Sequence, residues 1–549
     1  MLYSGCILSS ILCTINPEPE MYDLLPLPEL YYLAMDMNPR IFANGFLRHN
    51  VRKQFFRFVL CVLCTVTITR TAFSQKRFDF NANCRIAYKE IIQLKLSSGQ
   101  RLLNAEKIQD PDNLIPYFLE NYIDFFTLFF NEDPTDYAKR SKLLANRLDK
   151  MSEGPETSPF YLFTRSIIHF QWASVKVKFG YTWDAGWEFR RSFLQVKENQ
   201  ESFPDFYPNQ LYRGTMQVAA GTIPDGYKWL SSLLGIKGTI SHGMKSLETF
   251  IKRTDEWSLL FRDEAIFYYC YLKYYIENEK NGVFNFIRQQ QLDVVNNHLF
   301  TYLACNLSVS NQQSDNAKKI IEQRNMAAEY LQTPIWDLET GFAKLNHLEP
   351  DAAFYLERFL QTFKGKFYVK DVLQKLSWHY YLENNQAKAD KYRSDIIKKG
   401  SLDSEADKQA QKEAMTTSWP NKLLLQARLL NDGGYFHEAL RLLHGKKYTD
   451  FTDLRDQTEF EYRAARLYDD LDIKEEAIGF YKQAIILGEN RKEHYAARSA
   501  LHIGNIYEQR GDKTEAINWY RRCMNMKGHD YKNSLDQRAK AGISRCKGE

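Results

Sequence analysis

Apolar and aromatic side chains recur at three- and four-residue intervals along most of the chain, a period that predicts helices. Residues 116–130, 160–179, 184–198 and 263–275 show it most clearly. No sustained alternation of apolar and polar residues, the mark of a half-buried strand, interrupts them. Pro204, Pro208, Gly221, Pro224 and Gly226 fall between helical segments, where they break one helix from the next. In the C-terminal third the pattern gains a longer period. Gly504 is followed twelve residues later by Ala516 and four further on by Tyr520, with Ile503, Tyr507, Gly511 and Cys523 in phase. The preceding unit repeats the order as Ala465, Tyr468, Ala477, Tyr481 and Ala484, and the one before as Ala427, Leu430, Ala439 and Leu443. Small residues at these places let two helices approach, and the aromatic rings fill the gap to the adjoining pair. Ala439, Ala477 and Ala516 lie 38 and 39 residues apart. Gly341 with Ala353 and Ser377 with Ala389 keep the twelve-residue spacing, whereas Ala304 and Ala317 are thirteen apart, so the earlier units read as degenerate.

These residues resemble the tetratricopeptide repeat, whose period of about 34 residues is lengthened here by longer helices or loops. The resemblance implies an all-α fold, a TPR-like α-solenoid of antiparallel helical hairpins, and a protein or peptide partner in place of a reaction. A looser resemblance covers residues 214–247 and the units around Gly341 and Ala353. It is to the tetratricopeptide proteins of the eukaryotic inclusion-body-clearance family and their bacterial relatives, and it too implies an interaction scaffold. On the repeat pattern, the groove-facing positions of the first helices are Arg428, Asn431 and Asp432, then Tyr462, Arg466, Asp469 and Asp470, then Asn505, Glu508 and Gln509. Repeats that clasp a peptide's terminal carboxylate carry Lys at the fifth position; Leu424, Tyr462 and Leu501 stand there, so that clamp is not reproduced. The expected organisation is a helical region of degenerate hairpins over 75–330, degenerate repeats over 331–399, a charged, solvated connecting helix over 400–417 and clear repeats over 418–549.

The N-terminus carries a different signal. Arg40, Arg48, Arg52, Lys53 and Arg57 precede an apolar run at 58–69, too short for the roughly 20 residues of a membrane-spanning helix but suited to a signal peptide. Ala72 and Ser74 then occupy the −3 and −1 positions, so residues 37–74 are expected to direct the chain to the periplasm or outside the cell, with cleavage after Ser74. An uncleaved membrane anchor is the competing reading, and would be the chain's one membrane contact. Residues 1–36 carry five acidic and no basic side chains, which fits an over-extended start or a short disordered leader.

Composition narrows the function. The 73 basic and 68 acidic residues of the 549 nearly cancel, and no basic stripe interleaves with aromatics, which argues against nucleic acid as a partner. Gly238 to Ser246 nearly spells a P-loop, but Met244 separates Gly243 from Lys245 and no strand precedes it, so it reads as a glycine-rich turn and not a nucleotide site. No His pair has zinc spacing, no G-x-S-x-G is present, and Asp469, Asp470 and Asp472 lack the Gly and twelfth-position Glu of a calcium loop, so they read as a solvated turn. Neither a metal, a cofactor nor a catalytic residue is expected. Cys61 and Cys64 lie inside the apolar run, and of the nine cysteines only Cys84, Cys270, Cys305, Cys523 and Cys546 follow the leader. The abundant aromatics raise one alternative, a glycan-binding helical protein of the bacterial envelope. Tyr161, Phe163, Phe170, Trp172, Tyr181 and Trp187 nevertheless recur at helical spacing, as core residues do.

Overall fold

The computed structural model describes residues 75–221, 239–277, 279–416 and 418–548. The leader with its cleavage site, together with Pro224, Gly226, Gly238 and Thr417, lies outside the described residues. Of the described residues 74% are helical and none forms a strand; one isolated bridge joins Arg77 to Asn113. A first hairpin, α1 (Ala82–Ile92) and α2 (Leu96–Gln109), is followed by α3 (Ile115–Asn131), α4 (Pro134–Arg140) and α5 (Leu143–Ser152). The long pair α6 (Phe160–Lys178) and α7 (Thr182–Ser202) comes next, then α8 (Pro208–Gly221) packed on α9 (Ile240–Ile251). The short α10 (Glu256–Leu260) leads to α11 (Arg262–Tyr275) and α12 (Lys280–Gln289). Hairpins then follow in order: α13 (His298–Ser310) with α14 (Ser314–Gln323), α15 (Ile335–Leu345) with α16 (Ala352–Thr362), and α17 (Val369–Leu382) with α18 (Gln386–Lys398). A single helix, α19 (Glu405–Ala414), precedes the last three pairs. These are α20 (Lys422–Gly433) with α21 (Phe436–Leu443), α22 (Leu454–Asp470) with α23 (Lys474–Gly488), and α24 (Tyr495–Gln509) with α25 (Lys513–Asn525); α26 (Lys532–Lys547) closes the array. Each helix packs chiefly on its neighbours in the chain, which makes an all-α, TPR-like solenoid of antiparallel hairpins.

Local chemistry sets the helix ends. Asn81, Asp133, Asp255, Asn297, Ser404, Asn421, Asp453 and Asp512 each accept from an amide two or three residues on, which satisfies a donor the helix leaves free. The hairpins turn by one backbone device. A residue with positive φ follows the first helix at Leu94, Gly180, Gln312, Leu348, Asn384, Gly434, Asp472 and Gly511. The next amide then returns to the carbonyl five residues back, as from Ile473 to Tyr468 at 2.8 Å and from Asp512 to Tyr507 at 3.0 Å. From Gln312 onward the device recurs after 36, 36, 50, 38 and 39 residues. The units whose side chains look degenerate are therefore regular in their backbone, and the one long interval is the insertion that holds α19.

That insertion is not the solvated connector its composition suggests. α19 packs on α17 and α18 and buries Asp407 and Ala410. The Asp407 carboxylate accepts the amides of Tyr368 at 2.9 Å, Lys370 at 2.9 Å and Asp371 at 3.1 Å, so it caps the start of α17 from across the fold.

One apolar cluster runs from Phe80 to Leu429, a second from Tyr462 to Cys546, and a third lies between Leu424 and Leu467. Two glycines show how tightly the helices meet. A Cβ on Gly504 would lie 2.6 Å from the Tyr520 ring, whose other edge is 2.4 Å from the Cβ position of Gly542. In the near P-loop, Gly243 belongs to α9 and not to a turn; a Cβ there would lie 2.5 Å from the carbonyl oxygen of Gly214, so the glycine lets α8 and α9 touch. The aromatic reading needs one correction. Phe163, Phe170 and Trp172 are buried, but Tyr181 and Trp187 are each 48% exposed. α7 packs inward through Ala185, Phe189, Phe193 and Val196, which turns Trp183 and Trp187 to the opposite face. Among the described residues no helix is long and apolar enough to cross a membrane.

Candidate functional site

The first helices of the last repeats, with α12, α17, α19 and α26, enclose a polar cavity of about 1150 Å³. A second recess of about 480 Å³ adjoins it and shares Gln312, Arg466, Asp470, His502 and Gln509. Nine of the ten groove positions expected from the repeat pattern line one or both. Arg428, Asn431, Asp432, Tyr462, Arg466, Asp470 and Gln509 line the larger, and Asp469 and Asn505 the smaller. Glu508 is the exception. It is turned toward α26, where Arg545 donates to it at 2.7 and 2.8 Å and the Tyr520 hydroxyl at 2.5 Å.

The floor is tied together across repeats. Asp470 accepts from Gln312 at 2.9 Å, from Asn431 at 2.8 Å and from Arg466 at 3.0 Å, so one carboxylate links the α13–α14 turn, α20 and α22. Asp469 accepts from Lys474 at 2.8 Å and from the Tyr481 hydroxyl at 3.0 Å, and Tyr481 stacks on His502 with ring centres 5.3 Å apart. The Asp469–Asp472 stretch is thus no solvated acidic turn: only Asp472 is exposed, because the other two are committed to the floor. Arg463 donates to Glu459 at 2.8 and 3.1 Å, and Arg428 lies 4.6 Å from the Trp378 ring centre. Leu424 and Leu501, at two of the fifth repeat positions, are buried in the core.

Positive charge gathers where Lys280, Arg466, Arg498 and Arg538 meet. The Lys280 side chain is open to the recess, yet the protein walls around it strip away much of its solvent and, with the neighbouring Arg538 and Arg466, bring the ammonium down to about 8. Arg538, open to the same recess, is brought down to about 10 by the surrounding walls and by Arg498. His502 is held well below the usual histidine range by burial and by Arg466, Arg538, Arg498 and Lys280. Tyr462 responds in the opposite sense. Burial pushes its phenol up, but Arg498, Arg466 and Arg463 outweigh it and hold the group below the ordinary tyrosine value. Four side chains on four helices thus register the same field.

Lys280, Arg463, Arg498, His502 and Arg538 were not among the positions expected. Arg498 and His502 were within reach, since they stand 39 residues after Glu459 and Arg463 at matching repeat positions. Lys280 and Arg538 sit on helices that lack the small–small–aromatic spacing, and only the folded chain brings them to the groove. Among the described residues no group of three or more His, Cys, Asp or Glu side chains could hold a metal ion. Cys84, Cys270, Cys305, Cys523 and Cys546 are buried free thiols, and burial raises each.

Fold and groove together define an all-helical repeat protein with a polar concave face. Residues 497–530, from the first turn of α24 to beyond the end of α25, match the family model of the tetratricopeptide repeat, so the chain carries that repeat within a TPR-like solenoid. No curated protein matches the sequence.

Proposed function

We propose that this chain is an exported scaffold that holds a protein or peptide partner in its concave groove and catalyses no reaction. The observation that carries the reading is the groove itself: successive hairpins present polar side chains from matching repeat positions to one continuous recess. Tetratricopeptide arrays use such curved faces to bind other proteins. The signal pattern at 37–74 supports passage to the periplasm or beyond.

Filling the groove tests this. Asn281 and Gln509 are exposed and line the recess without serving the core, so Asn281→Trp and Gln509→Trp should leave the melting temperature unchanged. On size-exclusion of envelope extracts, the wild-type chain should co-elute with a partner at fixed stoichiometry and the filled variants should elute alone. Co-elution unaffected by filling would contradict the reading.

One observation favours a second reading. Tyr181, Trp183 and Trp187 form an exposed aromatic row on and beside α7, away from the groove, and Tyr181 stacks on Tyr137 at 5.5 Å. Such a row is what a sugar ring packs against. Quenching of tryptophan fluorescence by envelope oligosaccharides, abolished in Trp183→Ala/Trp187→Ala, would favour it.

A further inference from the structure

Acidic and basic side chains line the groove in near-equal number, but three of its cations have no carboxylate partner among the described residues. Lys280, Arg498 and Arg538 line it, and among the described residues no carboxylate lies within the 4.0 Å of an ion pair with any of them. Asp470, which offsets Lys280, is already held by Arg466, Asn431 and Gln312. The Nε atoms of Arg466 and Arg498 are both buried without a hydrogen-bond partner, so donor capacity is left over as well as charge. An assembled set of like charges is costly to hold together, and an anion bound among them relieves that cost.

We infer that Lys280, Arg466, Arg498 and Arg538 form a site for the carboxylates of an acidic peptide segment, which deepens the scaffold reading above and rests on it. The groove favours a peptide over a small anion. At about 1150 Å³ it is far larger than one oxyanion, and Asn281, Asn311, Gln374 and Gln409 line its length. Carboxamides offer a donor and an acceptor on one side chain, the pair that a peptide bond requires and a bare phosphate does not. The guanidinium groups supply the forked donors that suit carboxylates. Lys280 and Arg538 are solvent-accessible at the recess, so a ligand can reach them without unfolding the wall. The lowered Lys280, Arg538 and His502 are the response expected of a site whose counter-charge arrives with its ligand.

Fluorescence anisotropy of the full chain with a labelled ten-residue Glu–Gly peptide, against the same peptide with Gln for Glu, tests the site. The acidic peptide should bind at least ten-fold more tightly. Lys280→Gln/Arg538→Gln should remove that difference, whereas Lys245→Gln, a single charge removed from the exposed surface of α9, should leave it. Should the double variant melt early, Arg498→Gln replaces it. Equal binding of the two peptides would overturn the acidic site and leave the scaffold reading intact. Displacement of the acidic peptide by inorganic phosphate at matched charge would overturn the peptide assignment in favour of a general oxyanion site. No binding of the acidic peptide would overturn the inference outright, while the groove-filling variants would still decide whether a partner is held.

Discussion

Glu264 is fully buried where α1, α3, α8 and α11 meet, and both of its oxygens are occupied by phenols. Tyr212 and Tyr268 donate to one oxygen at 2.8 and 3.2 Å, and Tyr88 and Tyr122 to the other at the same two distances. Burial raises this carboxyl and the four hydroxyls pull it back. An amide cannot accept on both sides; Tyr122 and Tyr212, 2.6 Å apart, can turn to each other, so Glu264→Gln should strand one hydroxyl and cost about 1–3 kcal/mol in urea unfolding. A loss no larger than that of a surface Glu→Gln change would show the cage to be incidental. Glu339 is the contrasting case: Asn306 donates to one oxygen at 2.8 Å, the other has no partner, and burial pushes the group up to about 7. Between the ordinary value of 4.5 and about 7 the folded chain keeps a proton that the unfolded chain releases, so this residue makes stability fall as pH rises through that window. Glu339→Gln should flatten the difference in unfolding free energy between pH 5 and pH 7.5; an unchanged slope would refute the assignment. Neither residue is legible in the sequence, because burial of an acid depends on distant partners. Arg428, Arg466 and Asn505 are legible, since one repeat position generates all three.

At the scale of elements, the hairpin interface makes the sharpest claim. Ala477 is fully buried and Glu476 beside it is exposed on the same helix, α23. Ala477→Leu should overfill the contact and cost about 1–3 kcal/mol, whereas Glu476→Leu should change stability little. Equal melting temperatures would mean the interface is misplaced. The spacing of small and aromatic residues carried the last three hairpins because each needs the same close approach. In the earlier ones only the small-residue spacing survives, at Gly341 with Ala353 and Ser377 with Ala389, without the aromatic position; what all share is a left-handed turn residue, and Gln312 and Leu348 give no compositional sign of that. Helical spacing also placed Tyr181 and Trp187 in the core, since helical period fixes a stripe but not which side of the helix is covered.

At the scale of the whole molecule, compartment and groove are separate questions. If 37–74 is a signal peptide, the exported chain should begin at Gln75 by N-terminal sequencing. Val62→Arg, at an insertion penalty of about 2.5–3.5 kcal/mol, should strand the precursor inside the cell. Full-length cytoplasmic protein from the wild-type gene would remove the envelope assignment and leave the scaffold standing. The solenoid was legible because its period is written in side chains; the charge balance of the groove was not, because it sums residues from α12 to α26 that lie more than 250 positions apart. The groove is tested most directly by a photo-crosslinking residue placed at Gln509 inside it, and at Glu476 outside it, in living cells. The account predicts a discrete protein adduct from position 509 and none from position 476. Equal labelling from both positions, or an adduct from 476 alone, would contradict it.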